Sequence, residues 1–144
     1  MSVIRIALLL LSLSACNNHG KTLTASFNEV LIPMEDGVVL AADLYVPNTA
    51  AVGSRYPVLL EYLPYRKDES RARNVELYSY FTDRGYIVAR VDIRGTGKSG
   101  GKTIPYEYSE IELADGETVI DWLSRQPWSS GSVGMFGISC LLYT

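Results

Sequence analysis

The sequence predicts an α/β fold: a mostly parallel sheet with flanking helices and an N-terminal β-hairpin. Three observations carry that expectation. Short apolar runs recur near residues 30–34, 38–46, 57–63, 86–92 and 133–136, each bounded by Gly, Pro or charged residues, and they read as strands. Two longer segments, following Asn74 and Ser109, space their apolar residues at helical intervals. The order hairpin, strand, helix, strand, helix, strand is that of crossover units, whose right-handedness places helices against the sheet faces.

The chain opens on Met1 to Ile6 with a single charge at Arg5, then Ala7-Leu8-Leu9-Leu10-Leu11 and Leu13-Ser14-Ala15-Cys16. A charged end, an apolar core too short to span a bilayer and small residues before a cut site describe a secretory signal over residues 1–15. Cys16 follows the small residues as in the bacterial lipobox, which it resembles. That resemblance implies acylation of its thiol and a lipid anchor without a spanning helix. The expected location is exported and lipid-anchored in a bacterial cell envelope. Residues 16–26 read as a polar tether. Cys140 is the second cysteine, so a Cys16–Cys140 disulfide is open in an oxidising compartment, although lipidation excludes it.

From Phe27 the pattern turns to β. Val30 to Met34 and Val38 to Val46 flank Asp36-Gly37, a dipeptide that tolerates the positive φ of a hairpin. Pro57 to Leu63 reads as a buried strand stopped by Pro64. After the charged stretch from Tyr65 to Arg73, Asn74 is the expected cap of a helix with apolar positions Val75, Leu77, Tyr78 and Phe81, ended by Gly85. Tyr86 to Asp92 is a further strand, and Arg94 to Gly101 a Gly-rich loop leading into a Tyr-rich segment. The second helix is expected from about Ser109 to Gln126, with Leu113, Gly116, Ile120 and Leu123 on one stripe. Gly116 on that stripe suggests close approach to the sheet. Pro127 ends the helix, Gly131 marks a turn, and Val133 to Phe136 is a last short strand.

A 47% hydrophobic content is enough for a core, and a net charge of −3 with both signs interspersed offers no basic footprint for nucleic acid. No His/Cys cluster has metal-ligand spacing, and no metal or organic cofactor is implied. Glu110 and Glu112 read as solvated helix surface. In sheets of this kind chemistry gathers at the carboxyl ends of the strands. Three loops leave such ends: Pro64-Tyr65, Arg94 to Gly101, and Ser139 onward.

Gly137-Ile138-Ser139 directly follows a strand. A serine on a sharp strand-to-helix turn projects its hydroxyl above the sheet, and the amide of the next residue, Cys140, would face a developing oxyanion. On the Gly-x-Ser fragment alone, a serine that only caps a helix is the favoured reading. Leu141 also stands where the Gly-x-Ser-x-Gly pattern has its last glycine.

Six segments in register resemble the superfamily of X-prolyl dipeptidyl-peptidases, cocaine esterase and α-amino-acid ester hydrolases. They are 34–40, Leu63-Pro64-Tyr65-Arg66-Lys67, 84–99, Asp121-Trp122-Leu123, Gln126-Pro127-Trp128 and 131–139. The resemblance runs from about residue 27 to 139 and implies the N-terminal part of an α/β-hydrolase fold over 27–144, truncated after the nucleophile elbow. It implies Ser139 as the acylated nucleophile, the Tyr65 hydroxyl as an oxyanion-hole donor, and the Cys140 amide as its companion. The substrate is then a small-molecule ester, amide or short peptide. Two positions depart from the family pattern: Cys140 stands in place of an aromatic residue and Leu142 in place of a glycine.

A serine nucleophile needs a base and usually an acid that orients it. The one histidine, His19, lies in the tether, and no Asp, Glu or His follows Ser139. These residues alone are therefore expected to be close to inactive. One alternative is a non-catalytic lipoprotein or a remnant of a hydrolase gene. A remoter one is a P-loop nucleotidase, suggested by Arg94-Gly95-Thr96-Gly97-Lys98-Ser99. That reading lacks the first P-loop glycine, because Asp92 occupies its position.

Overall fold

A computed structural model describes residues 27–48, 50, 52–69 and 71–137. Its elements are β1 (Phe27–Pro33), β2 (Val39–Tyr45), β3 (Tyr56–Leu63), α1 (Arg71–Thr82), β4 (Ile87–Asp92), α2 (Glu110–Ser124) and β5 (Ser129–Met135). The strands form one mixed sheet in the order β1-β2-β4-β3-β5. β3 pairs in parallel with both β4 and β5, while β1–β2 and β2–β4 are antiparallel. The parallel strands are the three joined by helices, and the hairpin supplies the antiparallel pairs. Pro33, which cannot donate to a ladder, lies on β1 at the end of this strand order.

Three residues, Glu35 to Gly37, close the hairpin. The Gly37 amide donates to Met34 (3.1 Å), the Met34 amide to Val38 (2.8 Å), and the Val38 amide to the Asp36 carboxylate (3.1 Å). Of Asp36 and Gly37, only Gly37 takes positive φ, at 84°. This is a turn completed by one left-handed glycine, not a two-residue loop using both.

Strand alternation divides the core between two faces. Leu40, Ala42, Leu44, Val58, Leu60, Ile87, Ala89 and Val91 form the larger cluster with Val119 and Leu123 of α2. Tyr45 and Val88 look the other way, onto Tyr78 and Phe81 of α1, with Phe27, Leu59 and Phe136 beside them. Every residue of β4 is buried, as a strand flanked by two others and covered on both faces must be. Val119 and Leu123 are fully buried, and each contributes roughly 1.5–3 kcal/mol of apolar transfer.

Both helices depart from the sequence expectation, and in both cases a charged residue is the cause. α1 begins at Arg71, one turn before the expected cap. Arg71 bonds the Asp43 and Asp68 carboxylates (2.7 and 2.5 Å) and stacks over Phe27, so tertiary contacts hold the first turn. Asn74 then lies inside the helix and donates to the Tyr78 hydroxyl at 3.2 Å. On α2 the buried residues are Asp115, Gly116, Val119 and Leu123, whereas Leu113 is 44% exposed. Asp115 faces inward because Arg94 grips both of its oxygens at 2.7 Å.

The ends of α1 and the path of β5 follow local chemistry. Gly85, at φ 79°, and Tyr86 return their amides to Thr82 and Phe81 (3.1 and 3.2 Å), a left-handed helix stop of the expected kind. Gly131 does not precede the last strand as a turn. It lies within β5 at φ 91°, where the register against β3 slips between Ser129 and Val133, so the strand bulges there.

Candidate active site

Because β3, β4 and β5 run parallel, their carboxyl ends at Leu63, Asp92 and Met135 lie along one edge of the sheet. Pairing persists beyond β5, since the Phe136 amide donates to Leu60 at 3.0 Å. A cavity of about 690 Å³ opens at this edge on the α1 face. Its lining includes Glu61, Leu63 and Tyr65 from β3 and the loop after it, Arg73, Asn74 and Leu77 of α1, Arg90, Phe136 and Gly137. Tyr65 is half exposed, and its carbonyl accepts from the Arg90 guanidinium at 3.4 Å. Tyr65 and Gly137 thus border the same space. Ser139, Cys140, Cys16 and His19 lie outside the described residues.

The Gly-rich loop wraps around a carboxylate. Asp92, at the end of β4, accepts the Lys67 amide on one oxygen (2.7 Å) and the Lys98 amide on the other (2.9 Å). Gly97 has φ 51°, and a Cβ there would collide with the same carboxylate. Ser99 donates to the Asp92 carbonyl (2.5 Å) and accepts from the Ala41 amide (2.9 Å), tying the loop to β2. No helix starts at Lys98, and its amide is already engaged by Asp92. The phosphate cradle of a P-loop is therefore not formed, and the loop serves to join β2, β4 and the Tyr65 loop.

Beneath the Tyr65 loop lies a row of charge that the sequence reading missed. Glu29, Asp43, Arg90 and Glu61 stand in register across β1, β2, β4 and β3. Lys67, fully buried, reaches down from the loop to Asp43 and Glu29, both at 2.8 Å. Burial opposes its charge, but the hydrogen bonds it donates to Asp43 and Glu29 outweigh that cost and hold the ammonium above the usual lysine range. Glu29 bonds Lys67 and Lys98, and these hold its pKa down to about 2. Farther along the row Arg90 donates to Glu61 (3.0 Å) and to the Tyr78 hydroxyl (2.6 Å), while that hydroxyl donates to Glu61. Burial and the neighbouring Glu61 raise the Tyr78 pKa. A signal was available: Asp43 and Arg90 each interrupt an otherwise apolar strand, and buried charges must find partners.

A second network fixes the opposite face. Arg94 bridges Asp115 of α2 and Asp36 of the hairpin turn (2.6 Å), and the hydrogen bonds it donates to both raise its pKa. Glu112 is only partly the solvated surface residue expected. Its carboxylate accepts the Tyr108 amide at 2.7 Å ahead of the helix start, and burial raises its pKa. Its backbone carbonyl accepts the Tyr62 hydroxyl at 3.3 Å. Among the described residues no group of His, Cys, Asp or Glu could hold a metal ion, and no helix is long and apolar enough to cross a membrane.

The mixed sheet, its flanking helices and the loops gathered at its carboxyl edge are those of an α/β-hydrolase fold. The chain belongs to the X-Pro dipeptidyl-peptidase (S15) family, whose sequence pattern matches residues 36–142. It is 39% identical over 116 residues to the cocaine esterase of Rhodococcus sp. (strain MB1 Bresler), a match covering 79% of this chain and 19% of the esterase. An α-amino acid ester hydrolase structure superposes with a TM-score of 0.63 at 28% identity, covering 88% of this chain and 24% of that one. A CocE/NonD family hydrolase from Staphylococcus aureus gives 0.61 at 24% identity, over 76% of this chain and 22% of that one, and so shares the fold. The chain spans about a fifth of the length of the curated relatives it matches.

Proposed function

We propose that the chain supplies the nucleophile and oxyanion-hole portion of a serine hydrolase that cleaves an ester, amide or peptide bond of a small substrate through an acyl-enzyme. The observation that carries this reading is the shared cavity at the sheet edge, whose lining includes both Tyr65 and Gly137. In the proposal the Ser139 hydroxyl, two residues beyond Gly137, attacks the substrate carbonyl. A base takes its proton, and the carbonyl oxygen becomes an oxyanion held by the Tyr65 hydroxyl and the Cys140 amide. Collapse expels the alcohol or amine and leaves an ester on Ser139, which water then hydrolyses. The names of the relatives, an esterase and an ester hydrolase, support an acyl-transfer reaction. We also propose that residues 1–15 are a signal peptide and that Cys16 carries a lipid anchor.

Reaction with a fluorophosphonate tests the catalytic reading. The slow labelling expected of the 144-residue chain should vanish in Ser139→Ala. In Tyr65→Phe it should slow by about 10²–10³, the usual effect of losing one oxyanion donor. Labelling that survives Ser139→Ala sinks the assignment. A wild-type chain that takes up no probe favours the non-catalytic lipoprotein.

A further inference from the structure

We propose that Lys67 is a positioning residue: its buried ammonium, locked to Asp43 and Glu29, fixes where the Tyr65 hydroxyl stands. The inference rests on the reading of Tyr65 as an oxyanion donor and adds the machinery that would make it one. An oxyanion donor helps only if it already sits where the charge develops, within about 0.5 Å. Tyr65 is 51% exposed, so walls of packed side chains do not hold its ring on every side. Its backbone is pinned at two points within three residues. The Tyr65 carbonyl accepts from Arg90 at 3.4 Å, and the Lys67 amide donates to Asp92 at 2.7 Å.

The side chain of Lys67 adds the third point. Its Nζ sits 2.8 Å from Asp43 on β2 and 2.8 Å from Glu29 on β1, with no solvent exposure. A loop leaving β3 is thereby anchored to the two strands beyond β4, across the sheet. Such a bridge is weak as a source of stability, because desolvation of the ions offsets much of their attraction. Its geometric consequence is larger: two residues from the phenol, the chain is tied to three strands.

3-Fluorotyrosine at position 65 of the 144-residue chain, read by fluorine NMR, tests the proposal, with a second label at the exposed Tyr106 as control. Lys67→Met and Asp43→Asn are expected to shift the position-65 resonance and broaden it at least about twofold as the loop samples more states, leaving that of position 106 in place. A folded variant with an unmoved position-65 resonance overturns it. Should neither variant fold, amide exchange in the wild type decides. The Lys67 amide is expected to be protected at least about 100-fold over free peptide, and exchange at the free-peptide rate overturns the proposal. Failure of the catalytic reading looks different: fluorophosphonate labelling would then be unchanged in Tyr65→Phe although the fluorine signal still moves in Lys67→Met.

Discussion

Two glycines show how differently one residue type is constrained in this chain. Gly97 adopts φ 51°, and any Cβ would enter the space held by the Asp92 carboxylate. Gly116 has ordinary helical backbone, and a Cβ there would stand 3.5 Å from the Tyr62 ring, a normal van der Waals contact. The close approach expected of Gly116 is thus to an aromatic side chain that leaves room for a methyl. Gly97→Ala is expected to destabilise by more than about 1 kcal/mol, through both the left-handed φ and the collision. Gly116→Ala should stabilise by roughly 0.5–1 kcal/mol, because alanine loses less entropy in a helix. Urea midpoints at unchanged slope would read both, and equal effects of the two substitutions would contradict the distinction.

At the scale of elements, β1 is held to the rest of the sheet by more than its ladder to β2. Glu29 receives both Lys67 and Lys98, and its folded pKa of about 2 lies below the ordinary 4.5. A carboxylate with a depressed folded pKa contributes stability above its unfolded value and loses that contribution as pH falls through the folded one. The chain is therefore expected to lose stability between pH 4.5 and about 2, and Glu29→Gln to flatten that part of the profile. Urea unfolding at stepped pH checks it: parallel profiles for the two proteins would show that Glu29 adds nothing. Strands were legible as elements because alternation and Pro or Gly boundaries are local. The start of α1 was not, and of the inward face of α2 only Gly116 and Leu123 were, since Arg71 and Asp115 take their places through partners far away in sequence.

Across the whole molecule, charge is layered as deliberately as apolar surface. The row from Glu29 to Glu61 spans four strands on the α1 face, beside the cavity that Tyr65 borders. On the other face Arg94 gathers the hairpin turn and α2. The proposed anchor belongs to the same scale, because it decides where the folded unit resides. Cys16→Ala is expected to abolish incorporation of an alkyne-tagged fatty acid and to move the protein from the membrane to the soluble fraction of bacteria that express it. Equal labelling of Cys16→Ala and the wild type would remove the anchor from the proposal.

Local pattern by itself determined the element order, the hairpin at Asp36-Gly37, the helix stop at Gly85 and the three loops worth searching, because periodicity, capping and turn chemistry act over a few residues. It also placed Tyr65 among the candidates, through the family segment around Leu63-Pro64-Tyr65. Only the tertiary structure decided that Asp92 fills the Gly-rich loop, that Lys67 is buried, and that Tyr65 and Gly137 border one cavity. Those facts depend on strand register and on which buried charges meet. Residues as far apart as Asp43 and Lys67 become neighbours only once the sheet has closed around them.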